Sequence, residues 1–189
     1  METIPRCKWA QNVPPIHEKY HDTEWGVPCR DDEKLYEMLL LECFQAGLSW
    51  LIVLQKREAF RAAFDNFDAQ KIAKYDREKI DELLQNKAVI RCRRKIEAAI
   101  GNANVYLDIK RSFGSFSAYL WGFTDGKIIF GDGENFPTST PLSDKISKDL
   151  KKRGMKYVGT VTIYSYLQAV GIVNDHEKNC ICYNERGRT

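Results

Sequence analysis

The chain lacks long apolar runs, internal repeats and low-complexity segments. Its longest clean apolar stretch, LSWLIVL, is far too short to span a bilayer, and the starting segment METIPRCKWA lacks the apolar core of a secretion signal. We therefore expect a soluble, cytoplasmic protein with no membrane partner. The length of 189 residues suits one compact domain, or two small lobes that share a cleft, with a sizeable core.

The chain also has little excess charge. Lys plus Arg number 29 and Asp plus Glu 26, so the net charge of +3 does not by itself indicate a polyanionic partner. The distribution is more informative, because basic residues form two clusters beside apolar helical patterns: Arg91, Arg93, Arg94 and Lys95, and Lys148, Lys151, Lys152, Arg153 and Lys156. Each cluster is either a solvated helix face or a phosphate-contacting patch.

Cysteines are few and scattered. The six lie at positions 7, 29, 43, 92, 180 and 182, in a chain without a secretion signal, so a disulfide framework is not expected. Metal ligands or buried thiols are the better interpretations.

Most of the sequence has helical patterning. The first predicted helix runs from Asp31 to about Ala46, and a second follows a Ser49 cap through WLIVLQKREAFRAAF. Two shorter helical segments begin at Asp68 and at Asp76, and a longer one runs from about Arg91 to Lys110. The last two are SDKISKDLKKRG, capped by Ser143, and TVTIYSYLQAVG, which ends at Gly171. The segment KIIFG at 127–131 has strand-like character but is isolated, so we interpret it as a loop between two helical halves. These patterns predict an all-α fold.

Glu42 is an acidic residue surrounded in sequence by apolar residues. It follows Met38 and three leucines and precedes Cys43 and Phe44, so its helix is apolar nearly all round and should at least partly bury the carboxylate. A buried carboxylate needs a partner, which is either a structural amide or arginine or a ligand. The helix stop at Gly47 places Trp50 across a tight corner. An indole and a carboxylate there could bind a planar base, although Trp50 alone would more often be a core residue.

A second set of reactive residues lies near the chain ends: Cys7, His21, His176 and Cys180. His176 and Cys180 have i, i+4 spacing, which puts them on one face if this segment is helical. Two thiols and two imidazoles can fill a tetrahedral zinc site, and a filled site is structural because no position remains for water. His17 and Cys182 are alternative ligands, and buried thiols with surface histidines would explain the same residues without a metal.

The segment LKKRGMKYVGTVTIYSYLQAVG predicts a helical hairpin. Gly154 and Gly159 bracket a short turn, and the second helix begins at Thr160. The exposed amides of that helix start could bind a phosphate, with charge added by the neighbouring lysines and arginine. An ordinary hairpin with a basic surface is the alternative.

Several long motifs resemble those of the type I 3-methyladenine DNA glycosylases. They are CKW at 7–9, YHDTEWGVP at 20–28, LLLECFQAGLSW at 39–50, KKRGMKYVG at 151–159 and VNDHEKNC at 173–180. The resemblance extends in the right order from about Cys7 to Tyr183, so most of the chain is covered.

The resemblance implies a helix-hairpin-helix DNA glycosylase fold and assigns roles to individual residues. Glu42 would recognise the base, Trp50 would stack on it, and Tyr20, Trp9 and Trp25 would line the pocket. Trp25 could instead pack beneath it. The implied zinc ligands are Cys7, His21, His176 and Cys180, which would hold one structural zinc ion per chain. The implied contacts with the DNA backbone come from the hairpin residues Lys152, Gly154, Lys156, Gly159 and Thr160.

The resemblance also implies an organisation for the domain, which would span residues 1–189. A central helical part at 31–125 would face a second part that combines residues 1–30 with 140–183 and carries the zinc site and the hairpin. The two lobes would lie around a cleft.

The implied activity is hydrolysis of the N-glycosidic bond of 3-methyladenine in alkylated double-stranded DNA, with release of the free base and formation of an abasic site. No lysine stands out as a Schiff-base nucleophile, so we expect a monofunctional enzyme. We also expect the protein to be a monomer. Asp175 is the nearest carboxylate after the hairpin and receives no role. His17 stands where the family pattern leads us to expect an aromatic residue. A DNA-binding module without activity and a zinc hydrolase are the rival interpretations.

Overall fold

Residues 4–185, which the computed structural model describes, are mostly helical. The α-helices within this range are α1 Pro15–Thr23, α2 Asp32–Gln45, α3 Trp50–Ala63, α4 Ala69–Ile72, α5 Arg77–Gln85, α6 Arg93–Phe113, α7 Phe116–Trp121, α8 Pro141–Lys152, α9 Thr160–Ala169 and α10 Cys182–Glu185. Short 3-10 helices occupy Lys8–Ala10, Asp65–Phe67 and Gly122–Thr124. The all-α prediction is confirmed. Residues 1–3 and 186–189 of the expected domain lie outside the described range.

Three aspartates fix helix starts as the sequence predicts. The Asp31 carboxylate accepts from the backbone amides of Glu33 and Lys34 at 3.0 and 2.9 Å, which starts α2. Asp68 and Asp76 cap α4 and α5 in the same way. These helices therefore begin where a short side chain satisfies amides that have no partner within the helix.

Two predicted helix boundaries were wrong. The helix expected from Ser143 begins at Pro141, because Thr140 is its N-cap and Ser143 completes a capping box as the third helical residue. Helix α6 continues three residues beyond the expected end at Lys110 and stops at Gly114, whose φ of +83° a side chain would disfavour. In both cases the true boundary residue, Thr140 or Gly114, lies within four residues of the boundary that was predicted.

The segment at 127–131 was expected to be a loop, and that prediction was also wrong. Ile129–Phe130 forms strand β1, which pairs in parallel with strand β2, Val173–Asn174. The Ile129 amide donates to the Ile172 carbonyl at 2.8 Å, and the Gly131 amide donates to the Asn174 carbonyl at 3.0 Å. The partner strand is distant in sequence, so local patterning could not reveal the pairing.

Helix α2 lies at the centre of the core. It buries residues on all sides, from Leu35 to Phe44, and packs against α3, α6, α7 and α9. Buried tyrosines tie its first turn to the surrounding helices, since the Tyr166 hydroxyl donates to the Leu35 carbonyl at 3.0 Å and the Tyr106 hydroxyl donates to the Asp32 carbonyl at 3.1 Å. Glu42 thus lies in a helix that is buried on nearly all sides. No helix within residues 4–185 has the length and apolar character needed to cross a membrane.

Helices α8 and α9 pack together as a hairpin joined by residues 153–159. The Ser147 hydroxyl donates to the Val158 carbonyl at 2.6 Å and holds the connection against α8. Asn102 of α6 secures it from the other side: its side-chain amide donates to the Lys156 carbonyl at 2.9 Å and its carbonyl accepts from the Lys156 amide at 2.8 Å. The position of this connection is therefore fixed relative to α6.

Lys95 is buried, so the basic cluster at 91–95 is not one continuous solvated face. The Lys95 ammonium donates to the carbonyls of Phe44 and Ala46 at 2.7 and 2.6 Å, at the C-terminal end of α2. A cation there satisfies terminal carbonyls and complements the helix dipole. Burial lowers the pKa of Lys95. This lysine stabilises the corner that joins α2 to α3.

We predict that Lys95→Met lowers the free energy of unfolding by about 2–3 kcal/mol, because one buried and one partly buried carbonyl lose a charged donor. Urea unfolding would measure the change. The control is Arg94→Met, since Arg94 is exposed and its loss should change stability by less than about 0.5 kcal/mol. Equal stabilities for the two variants would contradict the role assigned to Lys95.

Candidate functional site

A cavity of about 360 Å³ opens beside the corner between α2 and α3. This volume is within the range of small-molecule sites. Four parts of the chain supply its walls, namely the N-terminal segment with α1, the α2–α3 corner, α9 with the segment after β2, and the loop before α8. The lining residues are Trp9, His17, Tyr20, Trp25, Glu42, Gln45, Trp50, Phe136, Ser165, Gln168, Asp175 and Glu177.

Glu42 is buried on the cavity wall without full compensation. It is 4% exposed, and its Oε2 atom has no hydrogen-bond partner among the described residues. Burial raises the pKa of Glu42 to about 8. The carboxyl group therefore favours its protonated form at neutral pH when the cavity is empty. Burial of Glu42 was expected, and an unpaired oxygen favours a ligand over a structural partner for that oxygen.

Trp50 and Tyr20 meet beside Glu42. Their ring centroids are 5.3 Å apart with an interplanar angle of 51°. Trp50 is the first residue of α3, its indole nitrogen has no partner among the described residues, and Gly47 allows the tight corner with a φ of +81°. Burial and the Glu42 carboxylate raise the pKa of Tyr20, which keeps its hydroxyl protonated. The predicted corner is present, although the side chain of Ser49 forms no capping hydrogen bond.

Trp9, Trp25 and His17 continue the aromatic wall. Trp9 lies 5.0 Å from Trp25 and 5.3 Å from His17, measured between ring centroids. Burial, with a smaller contribution from His21, lowers the pKa of His17, so this ring is neutral near pH 7. The Trp25 ring also lies 4.6 Å from that of His176. Trp25 thus both lines the cavity and packs against the neighbouring residue cluster.

That cluster consists of Cys7, His21, His176 and Cys180, all buried, with their potential ligand atoms within 4.8 Å of one another. Cys7 Sγ lies 3.5 Å from His176 Nδ1, and Cys180 Sγ lies 3.4 Å from His21 Nε2. Tetrahedral zinc bonds to sulfur and nitrogen place such atoms roughly 3.5 Å apart. Residue types and spacing therefore fit a four-coordinate metal site.

The surroundings of the cluster also suit metal ligands. The second ring nitrogen of each histidine has an acceptor: His21 Nδ1 lies 2.8 Å from Asp22 Oδ1, and His176 Nε2 lies 3.2 Å from the Trp25 carbonyl. These contacts orient the rings with Nε2 of His21 and Nδ1 of His176 toward the thiols. The Glu177 amide donates to Cys7 Sγ at 3.3 Å. The cluster does not include His17 or Cys182, the two alternatives considered from the sequence.

The hairpin residues predicted to contact DNA lie outside the cavity lining. Lys152, Gly154 and Lys156 are exposed, whereas Gly159 and Thr160 are partly buried. The Thr160 hydroxyl is paired with that of Ser143 at 2.8 Å, and no side chain caps the start of α9. The amides of that helix start are thus not used by a capping side chain.

Sequence reasoning missed several wall residues. Gln168 lines the cavity and donates to Asp175 at 2.6 Å, and the Tyr164 hydroxyl also donates to that carboxylate. The i, i+4 spacing of Tyr164 and Gln168 was a signal that they share one face of α9. Gln45, Ser165, Glu177 and Phe136 also line the cavity, and no sequence pattern distinguished them.

The fold is mostly helical, its cavity combines aromatic side chains with a carboxylate, and a Cys₂His₂ cluster lies beside it. These are the features that the sequence motifs imply for a helical DNA glycosylase. A family model described as methyladenine glycosylase matches residues 9–183. The chain belongs to the methyladenine glycosylase family.

Relatives and solved structures agree. DNA-3-methyladenine glycosylase 1 of Escherichia coli is 46% identical over 183 residues, which are 95% of this chain and 97% of the relative. A crystal structure of 3-methyladenine DNA glycosylase I superposes with a TM-score of 0.90 at 48% identity, covering 94% of this chain and 99% of the other. The enzyme from Staphylococcus aureus gives a TM-score of 0.89 at 37% identity, with 93% and 95% covered.

The raised pKa of Glu42 predicts a specific dependence of stability on pH. The folded protein retains this proton up to about pH 8, whereas the unfolded chain loses it near pH 4.5. Between these values the folded state binds more protons, so wild-type stability falls as pH rises, by about 1.4 kcal/mol per pH unit from this group. Glu42→Gln removes this contribution.

We therefore expect the stability of Glu42→Gln relative to wild type to increase from pH 5 to pH 8 by a few kcal/mol and then level off. Denaturant unfolding at each pH would measure it. A stability difference that does not change with pH would show that Glu42 is ionised in the folded protein.

Proposed function

We propose that this protein hydrolyses the N-glycosidic bond of 3-methyladenine in alkylated DNA, leaving an abasic site. The observation that carries the proposal is a carboxyl oxygen of Glu42 that has no hydrogen-bond partner in the described part of the chain and lies beside the Trp50–Tyr20 ring pair. Family membership supports the same conclusion, and one solved relative is a complex with 3-methyladenine.

Recognition starts with the damaged base turning out of the duplex into the cavity. The base stacks on Trp50, which offers a planar surface at the α2–α3 corner, and donates its exocyclic amino group to Glu42. Tyr20 has a protonated hydroxyl and contacts another edge of the base. Trp9 and Trp25 complete the aromatic wall and limit the cavity to flat ligands.

Charge provides the selectivity for alkylation. Methylation at N3 makes the adenine of the intact nucleotide cationic, whereas normal adenine is neutral. A cation beside Glu42 favours the carboxylate and lowers its pKa from the raised value of the empty cavity. The resulting attraction acts in a buried site with little screening and is absent for normal adenine.

Bond cleavage then needs little help from an acid, because the methylated base is already a good leaving group. Water attacks the sugar carbon as the base departs. The lining of the cavity within the described residues contains no lysine, which supports a monofunctional hydrolase without a Schiff-base step. Asp175 is engaged by two donors from α9, and we assign it no chemical step.

DNA binding is assigned to the hairpin. Exposed Lys152 and Lys156 supply positive charge, and the connection that includes Gly154, together with Gly159 and Thr160, presents backbone amides near the start of α9. Phosphates of alkylated double-stranded DNA are suitable partners for amides and lysines in this arrangement. This contact would hold the backbone while the base enters the cavity.

The four-residue cluster is proposed to hold one structural zinc ion. Cys7, His21, His176 and Cys180 would fill a tetrahedral site, so the ion would have no open position for water or substrate. It would supply cohesion between the chain ends. We also propose the domain arrangement with 31–125 as one lobe and 1–30 plus 140–183 as the other. Monomeric state remains a prediction.

We predict that Glu42→Gln reduces release of 3-methyladenine by at least about 100-fold, because a neutral amide cannot attract the cationic base. Chromatography of bases released from methylated DNA would measure the rate. Glu58→Gln is the control, since this exposed carboxylate lies outside the cavity. Near-normal release by Glu42→Gln would remove its central role, and no release by the wild type would favour a DNA-binding module.

Removal of the metal, without any substitution of cavity residues, should lower the midpoint temperature of thermal unfolding. We expect strong chelation or Cys180→Ser to destabilise the protein by several kcal/mol, because structural zinc contributes directly to folding. Calorimetry with metal analysis would test this, with Cys92→Ser as the control outside the cluster. Unchanged stability after complete zinc removal would argue against the proposed role. Normal stability with activity lost in proportion to zinc would indicate a zinc hydrolase.

A further inference from the structure

Phe136 is a cavity residue with an exposed ring. It lines the base cavity from the loop between β1 and α8, yet 46% of its surface is exposed. Neither the sequence motifs nor the proposed mechanism uses it. A large apolar side chain held in water at the edge of a cavity is stabilised when a ligand covers it.

The loop that carries Phe136 is held by specific contacts. Asp132 accepts from the amides of Glu134 and Asn135 at 2.8 and 2.7 Å, which closes a turn. The Lys178 amide donates to the Gly133 carbonyl at 3.3 Å, and the Lys178 side chain pairs with Glu134 at 2.7 Å. The segment after β2 thus anchors the loop, so Phe136 is positioned without burial of its own ring.

The fit at Gly133 shows how tightly the loop is placed. Gly133 is buried with a φ of +74°, and a Cβ atom there would lie 2.7 Å from the Tyr183 ring and 2.9 Å from the Lys178 side chain. A residue with a side chain would therefore displace the turn. The loop position depends on the same C-terminal segment that carries His176 and Cys180.

The surroundings of Phe136 differ from those of another exposed phenylalanine. Phe113 is 45% exposed, but its ring lies 5.1 Å from that of Tyr119 and beneath the Arg153 guanidinium. Phe136 makes no ring or cation contact among the described residues, although four other aromatic side chains line the same cavity. The exposed surface of the Phe136 ring is therefore available to a ligand in the cavity.

We propose that Phe136 is a substrate-contacting residue that packs against the methylated base at the mouth of the cavity. This inference rests on the proposed function. Contact with the base would bury the exposed part of the ring and exclude water from the Glu42 carboxylate. Exclusion of water strengthens the attraction between the carboxylate and a cationic base.

The test compares Phe136→Ala and Phe136→Leu with Phe113→Ala. Binding of free 3-methyladenine is measured by quenching of tryptophan fluorescence, and base release from methylated DNA is measured in single turnovers. We expect Phe136→Ala to weaken free-base binding about 10-fold, Phe136→Leu to weaken it less, and Phe113→Ala to leave it unchanged. Single-turnover release should fall in the same order.

Unchanged free-base binding in Phe136→Ala would overturn the inference. Slower release from DNA with normal free-base binding would also overturn it, because Phe136 would then contact DNA outside the cavity. Thermal midpoints of all variants are recorded alongside, and Phe136→Leu keeps the comparison valid if the alanine variant folds poorly. A different result would contradict the proposed function itself: a wild-type protein that neither binds nor releases 3-methyladenine.

Discussion

The fold depends on one constraint: a carboxyl group is enclosed in an apolar helix, and one of its oxygens has no hydrogen-bond partner among residues 4–185. Glu42 can remain there only because α2 is stabilised by other means. Apolar packing surrounds α2, and Lys95 secures its C-terminal carbonyls. The unfavourable burial raises the pKa of Glu42, so its neutral form is favoured when the cavity is empty. Packing elsewhere in the core thus offsets the unfavourable burial of the Glu42 carboxyl group at the cavity wall.

The Cys₂His₂ cluster affects the cavity from outside it. Its four residues come from both ends of the chain, and Trp25 packs on His176 while also facing the cavity. The C-terminal segment that holds His176 also anchors the loop of Phe136 through Lys178. Cohesion of the chain ends therefore determines where several cavity walls lie, although the cluster itself offers no position for the base.

The sequence predicted features that depend on local chemistry. Helix starts followed from Asp31, Asp68 and Asp76, burial of Glu42 followed from its apolar neighbours, and the four cluster residues followed from their types and the family motifs. It did not predict the burial of Lys95, the pairing of β1 or the position of Phe136. Each of these depends on a partner far along the chain, whose approach no local pattern encodes.

Helix α6 connects the base cavity with the hairpin. Lys95 holds the carbonyls at the α2–α3 corner, and Asn102, two helical turns later, holds the Lys156 backbone by both of its hydrogen-bonding groups. The helix therefore fixes the distance between the α8–α9 connection and the cavity. If the connection binds a phosphate as proposed, this fixed separation would determine which nucleotide of the held strand can reach the cavity.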